Sequence, residues 1–130
     1  MGTMLIGYDV EWLGEGDVTP HFLAQARSLH NHLGVPATLF VVGQTLEWWL
    51  AQFQALADDP LFDIQQHTYS HQLLKTVYIE DGRSVRVERG VTTEETRDEV
   101  RKTSALLAEH LGVHCIGLTG LRSLPVGPQL

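Results

Sequence analysis

The residues that most constrain the fold are 37–42, with the sequence ATLFVV, an almost continuously apolar and β-favouring run. A strand that lacks polar alternation is covered on both faces, which is typical of parallel sheets with helices on each side. Two further short apolar runs, 4–8 and 62–64, read as strands, and helix-like patterns lie between the runs. The chain is therefore predicted to be α/β, with alternating strands and helices.

The first predicted helix lies between the first two strands. Thr19 is expected to be its N-cap, Pro20 suits its first turn, and Gly34 suits its C-terminal end. Four residues at helical spacing are expected to form its inner face: Phe22, Ala26, Leu29 and Leu33.

Later segments continue the alternation. A second helix is predicted from apolar residues at helical spacing, namely Leu46, Trp49, Leu50, Phe53 and Leu56. A β-hairpin with an Asp-Gly turn is predicted over 78–87, and 115–118 is expected to be the next parallel strand. The last helix should begin at a capping box of Thr92 and Glu95 and end at Gly112, with a charged face, including Glu99, in solvent.

Polar side chains with metal-binding chemistry follow two of the predicted strands. Asp9 and Glu11 come after the first, and His67 and His71 come after strand 62–64. Sites in α/β sheets gather at the carboxyl ends of parallel strands. Two histidines and one carboxylate are a common ligand set for catalytic zinc, and a second carboxylate can act as a general base. The pattern predicts a hydrolytic metal site, and the alternative is a surface or core histidine pair beside an acidic turn.

The charge and the apolar segments argue against two classes of partner. The 130 residues include 9 Lys and Arg against 16 Asp and Glu, a formal net charge of −7, which disfavours binding to nucleic acid. The longest apolar stretches are far shorter than the ~20 residues that cross a bilayer, and no secretory signal pattern is present, so a cytoplasmic location without a membrane partner is expected. Cys115 is the only cysteine, so no intrachain disulfide is expected.

Three ordered motifs resemble those of the polysaccharide deacetylase family, which includes nodulation protein B and the carbohydrate esterases of family four. Residues 8–12, YDVEW, are similar to its first acidic motif in the variant with one intervening residue. Residues 67–71, HTYSH, match its His-[Ser/Thr]-x-x-His motif. Residues 122–127, RSLPVG, are similar to its Arg-x-Pro-aromatic-Gly motif, with one extra residue and valine at the aromatic position. The resemblance covers nearly the whole chain, 1–130, as a single domain.

The resemblance implies a metal-dependent hydrolase of a non-peptide C–N bond, acting on an N-acetylated sugar or a related small amide. A divalent metal, with zinc favoured, would be bound by Glu11, His67 and His71. Asp9 would be the base that activates water, and Arg122 would orient or charge-balance Asp9. A backbone N–H near Val126 would help to bind the oxyanion of the substrate.

The resemblance also implies an irregular (β/α) barrel, whose later motifs, including a Leu-x-His segment with a catalytic acid, have no counterpart within 1–130. The expected fold is therefore an incomplete, open barrel-like domain with about four parallel strands, flanking helices and the hairpin as an excursion. An open sheet edge favours pairing, so a homodimer or a partner chain covering that edge is expected. Two alternatives remain open: an inactive metal-binding or interaction module of the same fold, and a cyclic amidase like the family's allantoinase-like branch.

Overall fold

The computed structural model describes residues 2–80 and 82–120, and in this part of the chain three strands form a parallel sheet. The strands are β1 (Gly7–Val10), β2 (Ala37–Val41) and β3 (Phe62–Gln66), and β2 lies between the other two. Their register pairs Asp9 with Phe40 and Phe40 with Gln65. The continuous apolar run is thus the central strand, as its lack of polar alternation predicted.

Helices connect the strands and cover the sheet. Helix α1 (Val18–Leu33) joins β1 to β2, and α2 (Gly43–Trp48) and α3 (Leu50–Ala57) join β2 to β3. After β3 come the hairpin strands β4 (Val77–Glu80) and β5 (Val85–Glu88), and then α4 (Thr93–Leu111). The α/β class, the parallel sheet and the flanking helices are confirmed. No helix in the described segments combines the length and apolarity that membrane crossing requires.

One hydrophobic core lies between the sheet and the helices. Side chains from β2, the α2–α3 segment, β3 and α4 meet there without solvent access or nearly so, including Leu39, Val41, Leu46, Phe53, Ile64 and Leu107. Burial of each such side chain stabilises the fold by about 1.5–3 kcal/mol. The core therefore fixes the positions of the strand ends, where the polar motifs follow.

The predicted inner face of α1 is confirmed at Ala26 and Phe22 but wrong at Leu29 and Leu33, and the predicted N-cap is wrong. The buried residues are Thr19, Leu23, Ala26 and His30, whereas Leu29 and Leu33 are 52% and 58% exposed. His30 can be buried because both ring nitrogens are satisfied, Nδ1 by the carbonyl of Val35 at 2.7 Å and Nε2 by the hydroxyl of Tyr8 at 3.0 Å. Thr19 lies inside the helix, and Asp17 occupies the N-cap without a side-chain capping bond.

The second predicted helix is two helices. The backbone breaks at Trp49, with φ −123° and ψ 34°, and this residue separates α2 from α3. By contrast, α4 begins and ends where the sequence predicted. Thr92 Oγ1 accepts from the N–H of Glu95 at 3.2 Å, and Glu95 Oε2 accepts from the N–H of Thr92 at 2.7 Å. This capping box lowers the pKa of Glu95, chiefly through the Thr92 N–H, and Gly112 closes the helix with a left-handed conformation.

The structure contains the predicted hairpin, but the strand predicted after α4 forms only in part. Strands β4 and β5 pair antiparallel, with Tyr78 opposite Val87, and Asp81 of the predicted turn lies outside the described residues. The strand predicted at 115–118 is shorter than expected, because its only sheet pairing in the described chain is a single parallel bridge between Gln66 and Leu118. The side-chain oxygen of Gln65 accepts from the N–H groups of residues 116 and 117, at 2.9 and 2.7 Å, in place of strand pairing.

Candidate metal centre

The carboxyl ends of β1 and β3 bring the two polar motifs together. Glu11 is the first residue after β1, and His67 is the first residue after β3. Glu11 Oε2 lies 2.9 Å from Nε2 of His67 and 2.8 Å from Nε2 of His71. Single ligand atoms of these three residues all lie within 4.8 Å of one another, and the two imidazole centroids are 4.9 Å apart. The carboxylate and both histidines named from the sequence therefore form one cluster.

An unusual backbone path presents the second histidine. Thr68 and His71 both have positive φ, 64° and 56°, in the left-handed region that non-glycine residues seldom occupy. The surrounding structure holds this path by hydrogen bonds from the first residues of α2. The N–H of Gly43 donates to the carbonyl of Thr68 at 2.9 Å, and that of Gln44 donates to the carbonyl of Tyr69 at 3.0 Å. Strained backbone of this kind persists only where neighbouring bonds over-determine it, and it clusters at functional sites.

Glu99 of α4 anchors the same loop from the other side. Its carboxylate accepts from the N–H of Tyr69 at 3.0 Å, from the N–H of Ser70 at 2.7 Å and from the Ser70 hydroxyl at 2.8 Å. One turn further on, Lys102 Nζ lies 3.3 Å from the centroid of the Tyr69 ring, a cation–π contact. The prediction that Glu99 belongs to a solvated face is wrong, because this side chain supports the histidine loop.

Thr119 fixes the tautomer of His67. Its hydroxyl lies 3.2 Å from Asp9 Oδ1 and 2.6 Å from His67 Nδ1. An ionised carboxylate can only accept, so the single hydroxyl hydrogen is donated to Asp9 and Nδ1 of His67 must donate to Thr119. A neutral His67 then carries its lone pair on Nε2, which faces Glu11. A hydrogen bond to the outer ring nitrogen is the usual way in which proteins orient a metal-ligating histidine.

The positions and types of the donor atoms in the cluster suit a divalent cation. With Nδ1 of His67 protonated and the ring neutral, Nε2 and the Glu11 carboxylate are two acceptors 2.9 Å apart, and either a bound cation or a proton on Nε2 would relieve their repulsion. Nε2 of His71 is buried and has no hydrogen-bond partner, although it lies 2.8 Å from the same carboxylate oxygen. Buried polar atoms are rarely left without a partner. Two imidazole nitrogens and one carboxylate are a donor set that suits zinc.

Comparison with known proteins identifies the family. The sequence profile described as polysaccharide deacetylase matches residues 3–119. The chain belongs to the polysaccharide deacetylase family. The matched region contains Asp9, Glu11, His67 and His71, and it ends before the third motif at 122–127. A comparison with curated protein sequences gives no match.

Solved structures of the family share the fold. A CE4 family pseudoenzyme from Bacillus anthracis has 18% identity and a TM-score of 0.69, over 88% of this chain and 33% of that one. A peptidoglycan deacetylase from Bacillus subtilis has 16% identity and a TM-score of 0.65, over 88% and 46%. A putative polysaccharide deacetylase from Mycobacterium smegmatis has 19% identity and a TM-score of 0.61, over 88% and 41%. The chain therefore spans less than half the length of these deacetylase-family structures.

Of the other residues predicted for the site, the structure describes Asp9 but not Arg122 or Val126. Asp9 is exposed beside the cluster and is oriented by Thr119. Arg122 and Val126 lie outside the described residues. Thr119 and Glu99 were not identified from the sequence as site residues, because a lone threonine and one glutamate among many charges carry no motif. Their contacts span 52 and 30 residues of sequence, to His67 and Tyr69, so only the folded chain reveals them.

A cleft of about 370 Å³ opens beside the cluster. Three of its lining residues, Asp9, Glu11 and His71, belong to the site, and the others are mostly apolar or aromatic: Tyr8, Val10, Trp12, Val18, Thr19 and Phe22. Volumes of about 300–1,000 Å³ with apolar walls and a few polar groups are typical of small-molecule sites. The proposed catalytic groups of the family member therefore line a cleft of ligand size.

A second charged cluster lies between α1 and α3, beside a hollow of about 480 Å³. Buried Asp59 accepts from Asn31 Nδ2 at 2.8 Å and from the N–H of Leu61 at 3.1 Å, and Arg27 Nε lies 3.4 Å away. The bond from Asn31, followed by that from Leu61 and the charge of Arg27, lowers the pKa of Asp59 below its ordinary value of 3.8. Because protein groups supply the hydrogen bonds and the positive charge that this carboxylate needs, the cluster is best explained as an interaction that stabilises the fold.

Proposed function

We propose that this polysaccharide deacetylase-family chain binds a divalent metal, with zinc the best match, and hydrolyses the amide bond of an N-acetylated sugar or a related small amide. The observation that carries the proposal is the convergence of Glu11 Oε2 with Nε2 of His67 and His71 next to Asp9. The buried nitrogen of His71, which lacks a hydrogen-bond partner, supports the same assignment.

Each residue has a distinct proposed role. Glu11, His67 and His71 would hold the ion, which when bound supplies a Lewis acid that polarises the amide carbonyl and activates water. Asp9 would take a proton from that water as its oxygen attacks the carbonyl carbon. The C–N bond then breaks, acetate leaves, and the proton that Asp9 accepted passes to the amine nitrogen. Thr119 would keep the Asp9 carboxylate in place by donating to Oδ1.

Two further proposed roles rest only on the similarity of residues 122–127 to the third family motif. We propose Arg122 as the charge partner of Asp9, and a backbone N–H near Val126 as an oxyanion donor. A donor of this kind contributes about 3 kcal/mol to transition-state stabilisation in well-studied hydrolases. Substitution of Arg122 by Ala should therefore lower turnover without removing bound metal.

The direct test is acetate release from N-acetylated chito-oligosaccharides by the zinc-loaded protein. Asp9→Asn should retain the metal and lose about 100-fold or more in turnover, since general bases contribute about 10²–10⁴-fold. His32→Ala, an exposed histidine on α1, serves as the matched control and should leave turnover unchanged. Equal rates for Asp9→Asn and the unmodified chain would refute the role of Asp9.

A second candidate is an inactive metal-binding or interaction module of the same fold. Within the described residues, no histidine other than His67 and His71 belongs to the cluster: His21 pairs with Asp17, and His30 lies in the core. A dedicated acid for the leaving amine is therefore not found in this part of the chain. One similar structure is itself described as a pseudoenzyme, although this likeness extends to fold only. Metal binding without acetate release would favour this candidate, and hydrolysis of allantoin instead would favour the cyclic amidase.

We also propose that a second copy of the chain or a partner chain covers the open sheet edge at β1. Residues Met4 and Leu5, just before that strand, are 80% and 91% exposed, and exposed edges favour pairing. Sedimentation at micromolar concentration should show a dimer, and a strictly monomeric chain would contradict self-pairing.

We also propose a cytoplasmic location, which fractionation of cells that express the protein tests.

A further inference from the structure

The helices that enclose the core all pack against one face of the sheet. In the parallel register Val10 lies opposite Val41 and Leu39 lies opposite Ile64, so these buried side chains point to the same side. They form one core cluster with residues of α1, α2, α3 and α4. The core-forming helices therefore lie on one side of the sheet.

The other face of the sheet is largely open among the described residues. Asp9 and Asp63 are exposed there, Thr38 and Phe40 are half-buried, and the Phe40 ring is not part of the hydrophobic core. Asp9 and Asp63 lie towards opposite ends of the strands, with Phe40 between them. Parallel sheets are normally covered on both faces, so this face is a surface on which a partner can pack.

Both edges of the sheet carry exposed apolar side chains. Before β1, Met4 and Leu5 are 80% and 91% exposed. At the other edge, Ile116 and Leu118 are 87% and 47% exposed in the segment that bridges β3. Pairing of β1 with a second β1 would cover one of these edges and leave the other bare. Contact between the two different edges covers both.

The backbone of each edge also points outward. The carbonyl of Ile6 is bonded to β2, so the alternation of the strand directs the backbone groups of Leu5 away from β2. At the other edge, Gln66 bonds to the residues on either side of Leu118, at 3.4 and 3.2 Å, so the N–H and carbonyl of Leu118 point away from β3. Each edge therefore presents backbone groups that can pair with a further parallel strand.

We propose that two copies of this chain close one barrel, with the β1 edge of each copy against the 116–118 segment of the other. A two-fold axis along the strands keeps every strand pair parallel and turns the open faces of both sheets into one interior. Each copy supplies three strands and the 116–118 segment, and about eight strands enclose an interior that side chains just fill.

The properties of the open face and the edges suit a second copy as the partner. Phe40 would lie in the shared interior, and Asp9 and Asp63 would lie near its two mouths. Each copy carries a net charge of −7, and the exposed edge side chains are uncharged, so the contact avoids repulsion between like charges. The inference deepens the proposed covering of the β1 edge and rests on it, and it does not depend on hydrolysis.

Cross-linking between singly substituted copies tests which edges meet. In a Cys115→Ser background, isotope-labelled Leu5→Cys is mixed with unlabelled Ile116→Cys, left to exchange subunits and treated with a short bismaleimide. We expect cross-linked dimer in the mixture, with the mass of one labelled and one unlabelled copy, and little in either variant alone. In the control, Val85→Cys, 62% exposed on the hairpin, replaces Ile116→Cys and should give little product.

Sedimentation measures the strength of the pairing. Leu5→Pro removes an outward N–H while the bond from Ile6 to β2 stays, and each dimer loses that N–H twice. The dissociation constant of the dimer should rise about tenfold. Val85→Ala should leave it unchanged, and circular dichroism checks that both variants are folded. Equal dissociation constants for the two variants would overturn the role of the β1 edge in closure.

The outcomes also separate the closed dimer from the proposed function. Cross-linking of Leu5→Cys with itself would show pairing of β1 with β1, which overturns closure and leaves the proposed covering of that edge intact. A monomer, or an open chain of many copies joined edge to edge, would overturn closure as well. Acetate release by a monomeric chain would support the hydrolase and refute the closed dimer. A closed dimer that binds zinc and releases no acetate would support this inference and refute the hydrolase.

Discussion

Thr119 Oγ1 lies 2.6 Å from Nδ1 of His67, and the same hydroxyl donates to Asp9 Oδ1 at 3.2 Å. A single hydroxyl thus connects a proposed metal ligand to the proposed base. It holds the His67 ring with Nε2 towards Glu11, and it holds the Asp9 carboxylate beside the cluster. The orientation of both groups depends on a residue that lies far from either motif in the sequence.

Thr119→Val should weaken zinc binding about 10–100-fold, the usual effect of removing a group that orients a metal-ligating histidine. Thr119→Ser keeps the hydroxyl and should bind zinc almost as the unmodified chain does. Competition with a chromogenic chelator measures both affinities. Equal zinc affinities for Thr119→Val and Thr119→Ser would show that the hydroxyl does not orient His67.

Glu99→Ala should both destabilise the fold and weaken zinc binding, because the histidine loop loses three hydrogen bonds to one carboxylate. We expect a loss of about 2–3 kcal/mol in the free energy of unfolding, since hydrogen bonds to charged groups are strong but not additive. Glu109→Ala, an exposed glutamate on the same helix, should change stability by less than about 0.5 kcal/mol. Urea unfolding and zinc titration of both variants measure these effects, and normal zinc affinity in Glu99→Ala would contradict the anchoring role.

Gly43→Ala should destabilise the contact between α2 and the histidine loop. A Cβ at this position would lie 2.6 Å from Cδ2 of Tyr69 and 2.8 Å from the hydroxyl of Thr103. Overpacking of this kind costs about 1–3 kcal/mol. Gly2→Ala, where a Cβ would meet nothing within 4 Å, is the matched control and should be neutral. Thermal unfolding measures both, and an unchanged Tm for Gly43→Ala would contradict the tight packing.

Asp59 should contribute to the acid sensitivity of the fold. Its pKa in the native state is held below the ordinary value of 3.8, chiefly by Asn31, so the unfolded chain takes up a proton first as the pH falls. The stabilisation is complete above about pH 5 and is lost as the pH drops through 3.8 towards the native pKa. Asp59→Asn should be less stable near neutral pH and should lose less stability on acidification. Urea midpoints at several pH values test this, with exposed Asp63→Asn as control, and parallel pH profiles for Asp59→Asn and the unmodified chain would contradict it.

The sequence predicted the strands and the position of the cluster because both depend on local patterns. Residues 37–42 are almost continuously apolar because β2 is the central strand, with one face buried and the other half-buried. Asp9, Glu11 and His67 interrupt or follow apolar runs where parallel strands end. Strand ends in a parallel sheet share one edge, so the convergence of Glu11 with the two histidines follows from topology.

The prediction was wrong where tertiary contacts override periodicity. Helical spacing assigned the inner face of α1 to Leu29 and Leu33, but His30 is buried because Tyr8 and Val35 satisfy its ring. The Cys115 segment pairs less than expected because the buried side chain of Gln65 takes up two of its backbone N–H groups. No local pattern reveals hydrogen bonds of this range, and the same reason explains why Thr119 and Glu99 were missed.

The central claim is that Glu11, His67 and His71 form a metal site, and zinc titration of the purified chain tests it most directly. We expect the unmodified chain to bind one zinc ion, and Glu11→Ala and His71→Ala each to bind it about 100-fold more weakly or not at all. His114→Ala, an exposed histidine outside the cluster, should bind zinc normally. An unmodified chain that binds no zinc, cobalt or nickel, or a His71→Ala variant with unchanged metal affinity, would contradict the account.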